Sequence, residues 1–303
     1  MKFDSTRIER SKIQTLAPAK LNLFLHVIGR QIGGEHDGYH LLQSIFTLLD
    51  FGDTITLEVR ADAAISRTST LAGVPSDKDL VVRAAKLLQT HAGCSLGCNI
   101  SVEKRIPMGG GLGGGSSDAA TVLRGLNRLW NLNLPTKELQ RLGLSLGADV
   151  PFFINGQNAF SEGVGEILTA IAVPNWWYLV LTPPESVLTP VIFSSPELTR
   201  DSISLKIADF SAVVDKFAFA ELLRQCRNDL QPVVLKAFPV VAAHLIALQA
   251  VSAKSVFGAR MTGSGACVFA AFEFERDARD AFQHLMPEYQ GFVAQGMNCH
   301  PST

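Results

Sequence analysis

Between Pro107 and Ala120 the chain reads PMGGGLGGGSSDAA, with six glycines in the seven positions from Gly109 to Gly115. A tract that bare is costly to order, because glycine loses more backbone freedom on folding than any other residue. It is therefore either a slack Gly/Ser linker or a backbone that something must approach closely. The residues after it favour the second. Ala119, Val122, Leu123, Leu126 and Trp130 recur at three- and four-residue steps, one face of a helix. Ser116 or Ser117 is expected to cap that helix and Asp118 to suit the positive end of its dipole. Glycines that run into a helix N-terminus present bare N–H groups to an anion, phosphate above all. A phosphate cradle is expected from Pro107, Met108, Gly109, Gly110, Gly111, Leu112, Gly113, Gly114, Gly115, Ser116 and Ser117.

Any affinity for phosphate has to come from that local geometry. Lys and Arg total 27 against 28 Asp and Glu, a net charge of −1, so nothing points to a nucleic-acid surface. With 303 residues, 47% of them hydrophobic, the chain can build one or two well-packed domains. Five cysteines (Cys94, Cys98, Cys226, Cys267, Cys299) lack zinc-type spacing and read as free thiols of a reducing compartment. The first residues, MKFDSTRIERSKIQ, have no apolar core for a signal peptide and carry Asp4 and Glu9. No apolar run reaches the ~18 residues a membrane span needs. A cytoplasmic protein with no membrane partner, monomer or homodimer, is expected.

The pattern of elements is irregular. AKLNLFLHVIG reads as a strand with Leu21, Leu23, Leu25 and Val27 on one face, and DTITLEVR as another with Ile55, Leu57 and Val59 inward. DKDLVVRAAKLLQTHAG has a helix start at Asp77 or Asp79 and a stop at Gly93. CNISVEKRIP reads as a strand that delivers the chain into the glycine tract. Further on, WWYLVLTPP is a strand, FAFAELLRQCRNDL and VVAAHLIALQAV are helices, ARMTGSGACVFAAF is a turn then a strand, and ERDARDAFQHLM is a closing helix. This order predicts α+β rather than a doubly wound parallel sheet. A domain boundary is expected near residue 160, giving units 1–160 and 161–303.

Two familiar glycine motifs fail. A P-loop needs a Lys after its glycines, where Ser116 stands instead. A dinucleotide fold needs an acidic residue about twenty positions on, where Asn127 to Asn133 stand.

PMGGGLGGGSSDAA instead resembles the second motif of the GHMP kinases, small-molecule kinases that use ATP. APAKLNLFLHV resembles their first motif and MTGSGACVF their third. Within that family DGYH, LLQSIFTLLDFGD, LGADVPFF, AFSEGVGE and TPVIF resemble the branch acting on a cytidine-diphosphate-linked methylerythritol. The resemblance runs from about Ala17 to the end of the chain. It implies a two-domain architecture: an N-terminal ribosomal-S5-domain-2-like ATP-binding domain and a C-terminal ferredoxin-like α/β domain. It also implies phosphoryl transfer from ATP, with Mg2+, to the 2-hydroxyl of the small molecule.

The resemblance makes Asp149 the base that takes the hydroxyl proton and Lys20 the cation that keeps it ionised. Asn22, two residues on and on the same face as Lys20, can hydrogen-bond the substrate hydroxyls or order Asp149. The resemblance assigns cytosine stacking to Tyr39, the base's polar edge to His40, and the other face of the base to Phe193. Ser116 or Ser117 would supply a hydroxyl to phosphate, with Ser116 the candidate for magnesium. Blander readings stand beside these: a turn aspartate before Pro151, a solvated lysine, serines that only cap, a core phenylalanine, and a plain turn at Gly263, Ser264 and Gly265. The segment IGGEH lengthens the loop before Tyr39, and His36 within it is expected at the surface. Two rival functions remain: another GHMP kinase of the homoserine or mevalonate type, and a nucleotide-binding protein without catalysis.

Overall fold

The computed structural model describes residues 11–34, 37–70, 74–211 and 215–301. Asp4, Glu9 and His36 lie outside the described residues.

Two long strands, β1 (Lys12–Arg30) and β2 (His40–Arg60), form an antiparallel hairpin that organises the whole sheet. They are followed by β3 (Ile65–Arg67), α1 (Leu80–Ala92), β4 (Gly97–Glu103), α2 (Gly114–Leu129), α3 (Thr136–Leu144), α4 (Val150–Asn155), β5 (Ala159–Glu162) and β6 (Ile167–Ala170). The later part holds β7 (Trp177–Leu181), α5 (Thr189–Ser194), α6 (Ile207–Ser211), α7 (Lys216–Arg224), α8 (Gln231–Ala237), α9 (Pro239–Val251), β8 (Arg260–Met261), β9 (Val268–Phe272), α10 (Glu275–Leu285) and β10 (Gly291–Met297). The order β3-β4-β2-β10-β7-β9-β8 runs through one sheet, with β1 and β5 also on β2. Every named pair is antiparallel except β3 with β4. Antiparallel strands with helices in irregular order make the fold α+β, as the element pattern predicts.

The helix and strand signals hold where their chemistry is explicit. Asp79 caps α1 by accepting from the Val81 N–H at 3.1 Å, and Gly93 ends it at φ 58°. Ile55 and Leu57 are buried, with Val59 packed beside them.

Four expectations need correction. Leu21, Leu23, Leu25 and Val27 do not share one core face: Asn22 pairs with Phe46 but Leu25 with Ser44. That extra residue on β1 is a bulge, and it flips the alternation. Leu21 and Leu23 consequently pack with Phe24 and Tyr178, while Leu25 and Val27 pack with Leu230 and Leu179. The N-cap of α2 is Gly113, φ 73°, with no side-chain cap, so Ser116 and Ser117 lie inside the first turn instead of capping it. The third-motif turn lies between two strands, because β8 precedes it. Finally, α10 does not close the chain: β10 follows and inserts between β2 and β7.

No single helix among the described residues is long and apolar enough to cross a membrane. All five cysteines are free.

Candidate active site

The glycine tract forms the wall between two cavities. Its backbone alternates hand: Gly109, Gly111 and Gly113 have φ of 72°, 77° and 73°. Such alternation turns successive N–H groups to one side, a concave nest for an anion. The carbonyls face inward, with the Leu112 oxygen accepting from the Lys20 N–H at 3.0 Å and the Gly110 oxygen from the Cys267 N–H at 3.2 Å. The first intrahelical bond of α2 runs from the Ser117 N–H to the Gly113 oxygen, 2.9 Å. The N–H groups from Gly113 to Ser116 therefore have no acceptor within the helix. A side chain could not replace the glycines: a Cβ on Gly111 would lie 2.6 Å from the Thr262 carbonyl, and one on Gly113 2.9 Å from the Phe153 ring.

The larger cavity, about 720 Å³, gathers residues distant in sequence: Lys20, Asn22, Tyr39, His40, Gly109, Gly111, Gly113, Ser116, Asp149 and Phe193 all line it. The smaller, about 360 Å³, lies across the loop and is lined by Pro107, Met108, Gly109 to Ser116, Val74, Lys78, Leu80, Ile106 and Lys104. Ser116 borders both. Ser117 borders neither; it is fully buried and its hydroxyl lacks a hydrogen-bond partner.

The reactive corner is built by β1, β2 and the start of α4. Lys20 and Asn22 are two apart on β1 and so share a face. The buried Lys20 Nζ donates to Asn22 Oδ1 at 2.5 Å and stands 3.6 Å from Asp149 Oδ2. It also lies 5.2 Å from the centroid of the Phe46 ring. A buried ammonium needs such partners, because desolvating it alone is prohibitive. Asn22 is itself held: its Nδ2 donates to Ser44 Oγ and its backbone N–H to Thr262 Oγ1, both at 2.8 Å. Asp149 occupies the N-cap position of α4, but its side chain makes no cap hydrogen bond. It is 37% exposed, against 5% for the Lys20 side chain, and opens into the larger cavity.

At the other end of that cavity His40 starts β2, with its ring 5.1 Å from the Phe193 ring on α5. Tyr39 precedes it and is 61% exposed. Burial, then the charges of Arg30 and Arg200, hold the His40 imidazole below its usual range. The third-motif turn braces the floor: Asn228 Nδ2 donates to the carbonyls of Met261 and Gly263 at 2.9 and 2.8 Å. Ser264 and Thr189 share a hydroxyl hydrogen bond of 2.7 Å that ties this turn to α5.

Beneath the loop, Lys104 bridges the buried Asp53 and Asp118. Asp53 Oδ1 accepts from the N–H groups of Arg105 and Ile106 at 2.6 and 2.8 Å, which anchors the entry to the glycines. Burial first, partly offset by Lys104 and reinforced by Asp53, pushes the Asp118 carboxyl up to about 7.

Ser44, Thr262, Asn228, Lys104 and Arg200 were not singled out by the sequence. Ser44, Thr262, Asn228 and Arg200 are lone polar residues without a periodic or spacing signal. Lys104 alone had one, as a cation just before the glycines in EKRIP.

Comparison with known proteins bears on this arrangement. The family model "GHMP kinases N terminal domain" matches residues 79–157, and "GHMP kinases C terminal" matches residues 215–289. The chain is 56% identical over 286 residues to a 4-diphosphocytidyl-2-C-methyl-D-erythritol kinase of Thiobacillus denitrificans, covering 94% of this chain and 95% of that protein. It is 51% identical over 292 residues to the kinase of the same name from Nitrosospira multiformis, covering 96% and 94%. A crystal structure of a 4-(cytidine 5'-diphospho)-2C-methyl-D-erythritol kinase superposes with TM-score 0.79 at 32% identity, over 94% of this chain and 99% of that one. A homoserine kinase from Cytophaga hutchinsonii shares the fold, with TM-score 0.72 at 16% identity over 100% and 98%.

Proposed function

The chain belongs to the GHMP kinase family, and on that premise we propose that it phosphorylates the 2-hydroxyl of 4-diphosphocytidyl-2-C-methyl-D-erythritol with ATP. The observation that carries the reading is the shared wall. One glycine loop borders both cavities, so donor and acceptor can meet across it.

The donor's phosphates lie against the N–H groups of Gly109 to Ser116, with its nucleoside in the smaller cavity beside Val74, Lys78 and Leu80. The loop and the helix end fit a polyphosphate, since a Cβ would fill the space at Gly111 and Gly113. The dipole supplies only ~0.3–2 kcal/mol, so several N–H donors act together. Magnesium, when bound with the nucleotide, would neutralise phosphate charge, with the Ser116 hydroxyl at hand to hold it. Among the described residues no cluster of three or more His, Cys, Asp or Glu could hold a metal.

The acceptor lies in the larger cavity with its reacting hydroxyl between Asp149 and Lys20. Asp149 takes the hydroxyl proton as the alcohol oxygen bonds to the γ-phosphorus of ATP, while the bond from that phosphorus to the β–γ bridging oxygen breaks and ADP leaves. Lys20, 3.6 Å from Asp149 Oδ2, offers positive charge to the transferring group. Positioned proton transfer of this kind is worth ~10²–10⁴ in rate. Asn22, fixed by Ser44 and Thr262, orders Lys20. The cytidine end reaches Tyr39, His40 and Phe193 at the far wall. A cytoplasmic location fits an ATP-consuming enzyme with five free thiols.

ADP release by the purified protein, assayed with the cytidine-linked substrate, mevalonate and homoserine in parallel, tests the assignment. Turnover on the first alone is expected. Turnover on a substrate without a base would overturn the clamp, and ATP binding without any turnover would favour the non-catalytic reading.

A further inference from the structure

We propose that Arg200 is a positioning residue of the base clamp: its guanidinium holds His40 in the neutral form protonated on Nδ1 and ties that ring to the segment bearing Phe193. The proposal deepens the cytidine reading above and rests on it for its functional consequence.

Arginine only donates. Its guanidinium has five N–H groups, no acceptor, and does not lose its proton in proteins. Arg200 Nε donates to His40 Nε2 at 3.0 Å, so that nitrogen must present a lone pair. A neutral imidazole with Nε2 as acceptor carries its proton on Nδ1. The ring therefore offers one N–H donor and has its other nitrogen engaged.

The same guanidinium fastens the opposite side of the clamp. Its Nη2 donates to the carbonyls of Phe193 and Ser195 at 3.2 and 2.6 Å, and its Nη1 to the Leu198 carbonyl at 3.0 Å. Phe193 ends up with its ring 5.1 Å from that of His40, tilted by 35°. One half-buried side chain thus fixes an orientation on β2 and the exit of α5 together.

The charges around His40 act in the same direction. Arg30 faces it across the β1–β2 pairing and Arg200 from beyond α5, so a protonated ring would meet two cations and lose the Arg200 bond. The neutral Nδ1–H form suits an acceptor on the base. Cytosine has a bare ring nitrogen at position 3, where uracil has an N–H; a fixed N–H donor favours the first and leaves two donors facing each other with the second.

The test reads the tautomer directly. In 15N-histidine-labelled protein without ligand, with His40 assigned through His40→Gln, the wild type is expected to show the proton on Nδ1. Arg200→Met is expected to release that tautomer and to raise the pH at which His40 protonates. Binding is then compared by calorimetry with cytidine 5'-diphosphate and uridine 5'-diphosphate. Arg200→Met should weaken the cytidine ligand about tenfold or more, the worth of a hydrogen bond to a charged group, and shrink the preference over uridine. ATP affinity, read on the other side of the loop, should hold and serves as the folding control.

A wild-type ring protonated on Nε2 overturns the proposal, as does an Arg200→Met protein with unchanged tautomer and undiminished cytidine preference. Failure of the wild type to bind cytidine 5'-diphosphate would sink the cytidine reading itself, a result distinct from any change in the ring.

Discussion

Asp149 stands where a helix-capping carboxylate would stand and caps nothing, which leaves both its oxygens for the cavity. Local sequence could not reveal this, because an aspartate two residues before a proline reads equally well as a turn; the motif resemblance singled it out, and the 3.6 Å approach of Lys20 gives it a physical partner. Ser116 and Ser117 show a second limit of sequence. They are chemically identical, yet a step of about 100° around the helix leaves Ser116 on both cavities and Ser117 fully buried. Ser116→Ala is therefore expected to weaken productive ATP binding, while Ser117→Ala should change only stability; the two Michaelis constants for ATP decide it, and equal constants would contradict the assignment. At the far wall, Tyr39→Ala should raise the Michaelis constant for the cytidine substrate by about tenfold or more with little change in kcat, given the ~1–3 kcal/mol of one stacked base. An unchanged constant would remove Tyr39 from the clamp.

Elements with explicit punctuation were legible, and those defined by partners were not. The ends of α1 follow from Asp79 and Gly93, and the glycine tract announces the start of α2. β10 escaped because GFVAQGM has glycines at positions 1 and 6 and little apolar alternation; it is a strand because β2 and β7 supply its neighbours. β8, two residues long, has no pattern to read. Within the phosphate loop, Gly111→Ala would force a Cβ to 2.6 Å from the Thr262 carbonyl at φ 77°. A left-handed residue with a Cβ already costs ~1–2 kcal/mol, so both thermal stability and ATP affinity should fall; a variant with wild-type ATP affinity would contradict the cradle.

In α2 the Asp118 carboxyl, pushed up to about 7 chiefly by burial, keeps in the folded state a proton that an ordinary carboxyl of 3.8 has released. Its contribution to stability is fully present below 3.8 and declines as pH rises toward 7. Asp118→Asn should gain stability relative to wild type across that window. Urea unfolding at both ends of it measures the difference, and a constant gap would contradict the shift.

At the scale of the whole molecule, the family's two domains share one sheet. β2 pairs with β1, β4, β5 and β10, and β10 passes the pairing on to β7 and so to β9 and β8. The α+β class was legible from the irregular order of strands and helices, but this continuity was not, since it depends on the strand that the pattern missed. The two cavities meet because β1 and the third-motif turn both bond to the glycine loop, through Lys20 with Leu112 and Cys267 with Gly110. Those contacts join residues some 90 and 160 positions apart, beyond the reach of any local pattern. With the sheet shared in this way, calorimetric unfolding should show one transition; two well-separated transitions would contradict a mechanically single structure.

On the proposed mechanism, chemistry occurs at the Lys20–Asp149 corner, where the larger cavity meets the glycine loop. The most direct test is Asp149→Asn, measuring turnover together with the dissociation constants of ATP and the cytidine substrate. Turnover is expected to fall by ~10²–10⁴, with both dissociation constants close to wild type. Near-normal turnover, or a loss that appears wholly as weakened binding, would contradict it.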